Sequence, residues 1–220
     1  FVRPLHEVQQ NEALEPVTAL SQTRRSASSV AFVITVSNDD TAALERSIQS
    51  VLRQTDPAWE LLLCAPDDRQ SLVEGWLDID WRIRRITGGT PDEVLNLIVA
   101  SWQSTTEYIW LLSPGDVVDD DLVKHISKRC SALPPCDLLY TDEASLLPDG
   151  SISSAFYKPD WSPEHHHSVN LMGRFLAVRK SLLLNLDIDD SAPGAAREYA
   201  LSLRLAAMAH SIGHIDEVLY

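Results

Sequence analysis

Residues 29–65 read SVAFVITVSNDDTAALERSIQSVLRQTDPAWELLLCA, and the order of patterns in this stretch decides the fold. Its first nine residues are mostly apolar and rich in β-branched side chains, as in a buried strand. Asn38, Asp39 and Asp40 end that strand and can cap the helix after it. In that helix Leu44, Ile48, Val51 and Leu52 fall at i, i+4, i+7 and i+8, which draws one apolar stripe. Asp56-Pro57 stops it. WELLLCA, 59–65, is a second strand, apolar at almost every position, as expected of a strand covered on both faces.

The same alternation continues outward. A helix is predicted around 69–77, and a short strand, RIRRIT, over 82–87. Gly88-Gly89 makes a turn. TPDEVLNLIVASW opens a helix with Thr90 as N-cap, Pro91 in the first helical position and Glu93 closing a capping box, and Val94, Ile98 and Trp102 line one face. The strand YIWLL occupies 108–112. Strand–helix repetition of this kind argues for a parallel, doubly wound α/β sheet with right-handed crossovers. Ligands of such sheets bind outside the carboxyl ends of the strands. Asn38-Asp39-Asp40, Pro66-Asp67-Asp68 and Ser113-Pro114-Gly115-Asp116 all sit at those ends.

The second half reads differently. It has strands, a Pro148-Asp149-Gly150 turn suited to a hairpin or longer loop, and no long helix before about residue 180. AAREYALSLRLAAMAHS, 195–211, is a strong helix, and GHIDEVLY a final strand. Residues 1–28 are polar and unperiodic and read as a linker or extension.

Composition narrows the function. The 220 residues carry a formal net charge of −14 and no cluster of Lys and Arg, which excludes a phosphate-tracking nucleic-acid binder and disfavours an anionic membrane surface. Three widely spaced cysteines, Cys64, Cys130 and Cys136, give neither a disulfide framework nor a zinc knuckle. No apolar run reaches the ~20 residues of a membrane span, and no signal peptide is visible. Residue 1 is Phe, so the chain reads as a piece of a longer protein with further domains, cytoplasmic, with any hold on the inner face of a membrane supplied by other parts.

Four segments carry a resemblance: SIQSVLRQTDPAWELLL (47–63), DLLYTDEASLLPDGSISSAFYKPDWSPE (137–164), VNLMGRFLAVRKSLL (169–183) and REYALSLRL (197–205). Together they resemble family 2 glycosyltransferases of GT-A fold, and most closely bacterial enzymes of surface-polysaccharide synthesis. The resemblance covers residues 29–220. It implies a Rossmann-type, donor-side half over 29–118 with a mostly parallel sheet, and an acceptor-side half over 119–220 with hairpin strands. It also implies transfer of a sugar, with inversion, from a nucleotide-sugar donor to a carbohydrate acceptor.

The resemblance assigns roles. Glu198 matches the acid that precedes Tyr in the family and would be the base that takes the acceptor's proton; an N-terminal helical Glu serving the helix dipole is the plainer account. Asn38, Asp67, Asp68 and Asp116 fall on the donor side. Asp142 and Glu143 of YTDE, and Trp161 of KPDWSP, fall on the acceptor side. The family stabilises its leaving diphosphate with Mn or Mg held by Asp-x-Asp. Here Ser113-Pro114-Gly115 fill those places and only Asp116 is near enough to ligate, so the cation is doubtful. Ala65-Pro66 replace the family's Asp-Asp after the second strand, and Thr35 and Ser37 replace its Pro and Tyr after the first. Asp119, Asp120 and Asp121 read as a helix cap. Three consecutive His, 165–167, cannot point at one centre and read as local variation. Because the departures all strike the donor side, two readings stand: an active transferase, or a degenerate GT-A domain that binds glycan or scaffolds a partner.

Overall fold

A computed structural model describes residues 30–36, 39–87, 106–131, 135–147, 150–173, 176–186 and 194–220. Strand β1 (Val30–Thr35), helix α1 (Thr41–Leu52), strand β2 (Trp59–Ala65), helix α2 (Ser71–Leu77) and strands β3 (Ile83–Thr87) and β4 (Tyr108–Leu112) keep the predicted order. Then come α3 (Leu122–Cys130), β5 (Leu138–Asp142), α4 (Pro163–Ser168), β6 (Leu176–Arg179), α5 (Lys180–Leu183), α6 (Gly194–Met208) and β7 (Ile212–Val218). Asn38, Gly88-Gly89, the helix expected over 90–102 and Pro148-Asp149 lie outside the described residues.

The seven strands among the described residues form one mixed sheet in the order β3-β2-β1-β4-β6-β5-β7. The first four are parallel, with Val33 opposite Leu62 on one side and Leu111 on the other. Strand β6 runs antiparallel to both β4 and β5, and β7 is parallel to β5. Side-chain alternation along a strand sorts the core into two layers. Phe32, Ile34, Leu61, Leu63 and Trp110 face α1 and α3, whereas Ala31, Val33, Leu62, Cys64 and Ile109 face α5 and α6. Each large apolar side chain so buried contributes about 1.5–3 kcal/mol. Among the described residues no helix is long and apolar enough to cross a membrane. Burial pushes the thiols of Cys64 and Cys130 up to about 12 and about 11, so neither is a nucleophile at neutral pH.

Helix α1 forms as its stripe predicts. Leu44, Ile48 and Val51 are buried, and Asp40 Oδ1 accepts the Ala43 N–H at 2.9 Å, an N-cap worth about 1 kcal/mol. The buried serines of α1 have a second task. Ser47 Oγ accepts the N–H of Gly115 at 2.9 Å, and Ser50 Oγ that of Val118 at 3.2 Å. The segment that leaves β4 is therefore laid along α1, its buried donors satisfied.

The three acids after that segment do not cap α3 as expected. Asp121 holds the N-cap position, yet its side chain accepts no α3 backbone N–H. It accepts instead from Thr55 Oγ1 and pairs with Lys124, while Asp120 pairs with Arg53 at 3.1 Å. Asp119 Oδ1 accepts the Asp121 N–H. The reason lies in Gln54, just past α1 and only 8% exposed. Its amide donates to the Asp119 carbonyl at 2.5 Å and its Oε1 accepts the Val123 N–H at 2.9 Å. The end of α1 thus supplies the α3 cap, and the acids tie the two helices.

Candidate functional site

The carboxyl ends of β1, β2 and β4 carry the residues expected on the donor side. Past β2, Asp67 and Asp68 open a one-turn 3-10 helix and are exposed. Asp67 Oδ1 accepts from Gln70 Nε2 at 2.8 Å. Arg69 lies between Asp39, after β1, at 3.0 Å and Asp68 at 3.8 Å, so one guanidinium spans the two strand ends.

Past β4 the chain turns sharply. Gly115 has φ +102°, and its N–H also donates to the Ala43 carbonyl at 3.1 Å. Asp116 folds back, Oδ2 accepting the Ser113 N–H at 2.6 Å. A Cβ at 115 would meet Ala43 Cβ at an ordinary 3.7 Å, so backbone conformation, not space, demands glycine. Gly115→Ala is expected to cost about 2 kcal/mol, measurable as a lower urea midpoint with an unchanged slope.

Serine, proline and glycine offer a divalent cation no anionic oxygen, and the one carboxylate present, Asp116, already closes its own turn. Among the described residues no group of three or more His, Cys, Asp or Glu side chains converges as a metal site. Hard cations such as Mn and Mg need several oxygen ligands, carboxylates foremost. The residues at this strand end do not fit a resident cation.

On the other side, YTDE and KPDW close on one another. Asp142 is buried, and its Oδ1 accepts both the Lys158 N–H at 2.8 Å and a hydrogen from His214 Nε2 at 2.9 Å. The His214 ring stacks on Tyr140 at 4.7 Å, and its Nδ1 faces Asp160 at 3.3 Å. Tyr140 Oη donates to the Pro159 carbonyl. The Lys158 side chain is 1% exposed, with Nζ 2.7 Å from Glu143 Oε2 and donating to the Met172 carbonyl at 3.0 Å. Desolvation pulls its pKa below the ordinary 10.5, and Glu143 works against that pull. Gly173, at φ +70°, passes so close that a Cβ there would lie 3.1 Å from Glu143 Oε2.

Asp116 and Glu143 meet in one cavity of about 590 Å³, walled by Leu146, Ile152, Phe156 and Tyr220. That volume suits a small molecule. The hairpin expected around Gly150 forms its outer wall, with antiparallel bridges Glu143–Phe156 and Leu146–Ile152.

Glu198 and Trp161 do not line this cavity. Glu198 is half-buried in the second turn of α6, and Trp161, just before α4, packs on the layer that faces α6. Between Trp161 and Tyr199, the residue after Glu198, sits His166, which its sequence pattern marks only as one of a local triplet. It is fully buried, with Trp161 at 5.3 Å on one side and Tyr199 edge-on at 5.7 Å on the other. Its neighbours His165 and His167 are exposed. A signal for it exists in the sequence: in a short helix over 163–168 only one of three consecutive residues can face inward.

No protein-family model matches the chain. It is 30% identical over 197 residues to the O-antigen biosynthesis protein RfbC of Myxococcus xanthus, a match covering 87% of this chain and 15% of that protein. It is 27% identical over 200 residues to the uncharacterized protein y4gI of Sinorhizobium fredii, covering 87% of this chain and 22% of that one. The chain thus spans less than a quarter of either relative. Among solved structures, S. aureus TarS in complex with UDP-GlcNAc superposes with TM-score 0.64 at 13% identity, over 87% of this chain and 57% of that one. The mannosyltransferase PcManGT of Pyrobaculum calidifontis, in complex with GDP-Man and Mn2+, superposes with TM-score 0.60 at 12% identity, over 86% and 55%. The chain has the GT-A fold of glycosyltransferases and resembles, over most of its length, a protein of O-antigen biosynthesis.

Proposed function

We propose that this chain is a sugar-transfer domain in the assembly of a bacterial surface polysaccharide, one unit of a longer protein that works on the cytoplasmic side of the membrane. A nucleotide-sugar binds at the carboxyl ends of β1, β2 and β4, and its sugar passes with inversion to a carbohydrate hydroxyl. The observation that carries this reading is the stretch shared with the O-antigen protein, which spans both sides of a GT-A sheet.

Asn38, Asp67 and Asp68 hold the nucleotide, and Asp116 borders the reacting sugar. Glu143, ion-paired to Lys158 and lining the cavity, accepts hydrogens from acceptor hydroxyls. Asp142 keeps that wall in place, and Trp161 supports the acceptor from the α6 side. Glu198 takes the proton as the acceptor oxygen attacks. With Ser113-Pro114-Gly115 in place of carboxylates, Mn2+ is expected to change donor affinity less than threefold. Calorimetric titration with UDP, GDP and dTDP sugars, with and without Mn2+, tests both points. Binding of one donor class supports transfer, and a gain of tenfold or more with Mn2+ refutes the weak role of the cation.

A second reading has its own support. The 113–116 turn has its hydrogen bonds closed onto itself and α1, as in a degenerate domain kept for glycan binding or scaffolding. Absence of binding by every donor decides for it.

A further inference from the structure

We propose that His166, as the neutral Nε2–H tautomer, is a positioning residue that locks the α4 segment and Trp161 onto the start of α6, and so sets the direction of Glu198. The inference rests on the reading of Glu198 as base, but the lock itself can be tested apart from it.

Three contacts define the lock. The Tyr199 hydroxyl donates to the His166 carbonyl at 2.5 Å, His166 Nε2 lies 3.3 Å from Ser202 Oγ, and the ring meets the Tyr199 edge. Tyr199 and Ser202 are three residues apart on α6, hence on one face. Holding both fixes the rotation of α6 about its axis. Glu198 is rotated about 100° from Tyr199 on the same turn, so its direction is set with theirs. Helix α4 has only six residues. A helix that short does not persist alone, so docking through His166 decides where it sits, and Trp161 with it.

The hydrogen bonds settle the tautomer. The Ser202 hydroxyl hydrogen is used on the Tyr199 carbonyl at 2.8 Å, so Ser202 Oγ accepts from His166, and Nε2 carries the proton. Nδ1 is left bare and buried, without a hydrogen-bond partner among the described residues. A second proton there would bring a charge and an unpaired N–H into a buried site. Among the described residues the titratable groups that face the ring are Tyr199 on α6 and His167 on its own helix, and neither offers Nδ1 a counter-charge. Desolvation holds the His166 pKa below its ordinary 6.5 and His167 pushes the same way, while a hydrogen bond with the Ser202 backbone works against them without reversing the shift. The unfolded or undocked state therefore binds more protons, and docking weakens as pH falls through about 6.5.

Hydrogen–deuterium exchange over 161–168 and 196–202, corrected for intrinsic rates and followed from about pH 7.5 to about pH 5, tests the lock. Wild type is expected to lose protection about tenfold on acidification. His166→Ala should be unprotected throughout. His166→Gln can still donate to Ser202 and cannot titrate, so it should stay protected at every pH. The kinetic arm uses the donor found by calorimetry. His166→Ala should lower kcat at least tenfold with donor KM unchanged, and His166→Gln should restore it to within threefold. Wild-type protection in His166→Ala, or acid loss persisting in His166→Gln, overturns the lock. Unchanged kcat in an unprotected His166→Ala overturns its positioning role. If no donor is bound or turned over, the transferase reading fails while the exchange arm still decides the lock.

Discussion

Replacing Glu198 by glutamine is expected to lower sugar transfer by about 10²–10⁴ and to leave donor affinity unchanged. The amide matches the carboxylate in shape and cannot accept the acceptor's proton. Helix α6 keeps its hold on α4, because that hold runs through Tyr199 and Ser202. A loss confined to kcat, with calorimetric donor affinity within twofold of wild type, identifies a group that acts only on the acceptor. Transfer retained in Glu198→Gln removes it as the base.

Lys158→Met should produce the largest loss of stability among single changes at the site, about 2–4 kcal/mol. The ammonium is sealed in, with Glu143 Oε2 at 2.7 Å and the Met172 carbonyl at 3.0 Å. Removing one member of a buried ion pair costs about 3–5 kcal/mol. Glu143 keeps some access to water, which trims that figure. The expected fall in Tm is about 5–15 °C for a domain of this size. The pH signature is specific. Below the depressed folded-state pKa of Lys158, both folded and unfolded chains hold the proton and the group adds no slope. Above it, up to the ordinary 10.5, the unfolded chain binds more protons, so wild-type stability gains from rising pH. Lys158→Met lacks that gain. A Tm within 2 °C of wild type would show that the pair contributes nothing net.

The parallel core was legible because its signals are local. A continuous apolar run predicts β2, an i, i+4, i+7 stripe predicts α1, and Asp40 caps the helix that it precedes. The place of β6 was not legible. Four residues, Leu176–Arg179, carry no pattern that says they lie between β4 and β5 rather than at an edge. Asp119, Asp120 and Asp121 sit where cap residues belong, and only the approach of Gln54, about 65 residues earlier in the chain, takes that task from them. In the same way YTDE and KPDW could be matched one by one, but their union through Asp142, Lys158 and His214 is a fact of three dimensions. His166 was hidden by its neighbours, since a run of three like residues draws attention to metal chemistry and away from the single position that faces inward.

The late entry of β6 has a consequence for how the protein is made. Strands β1 to β4 can pair as soon as they leave the ribosome, but the far edge of β4 has no partner until residues 176–179 arrive. Until then Tyr108, Ile109 and Trp110 present an open, apolar strand edge, the kind that recruits other chains. A nascent chain stalled near residue 170 is therefore expected to aggregate more readily than the finished chain, and the four-residue strand that looks least important in the sheet is the one that covers β4.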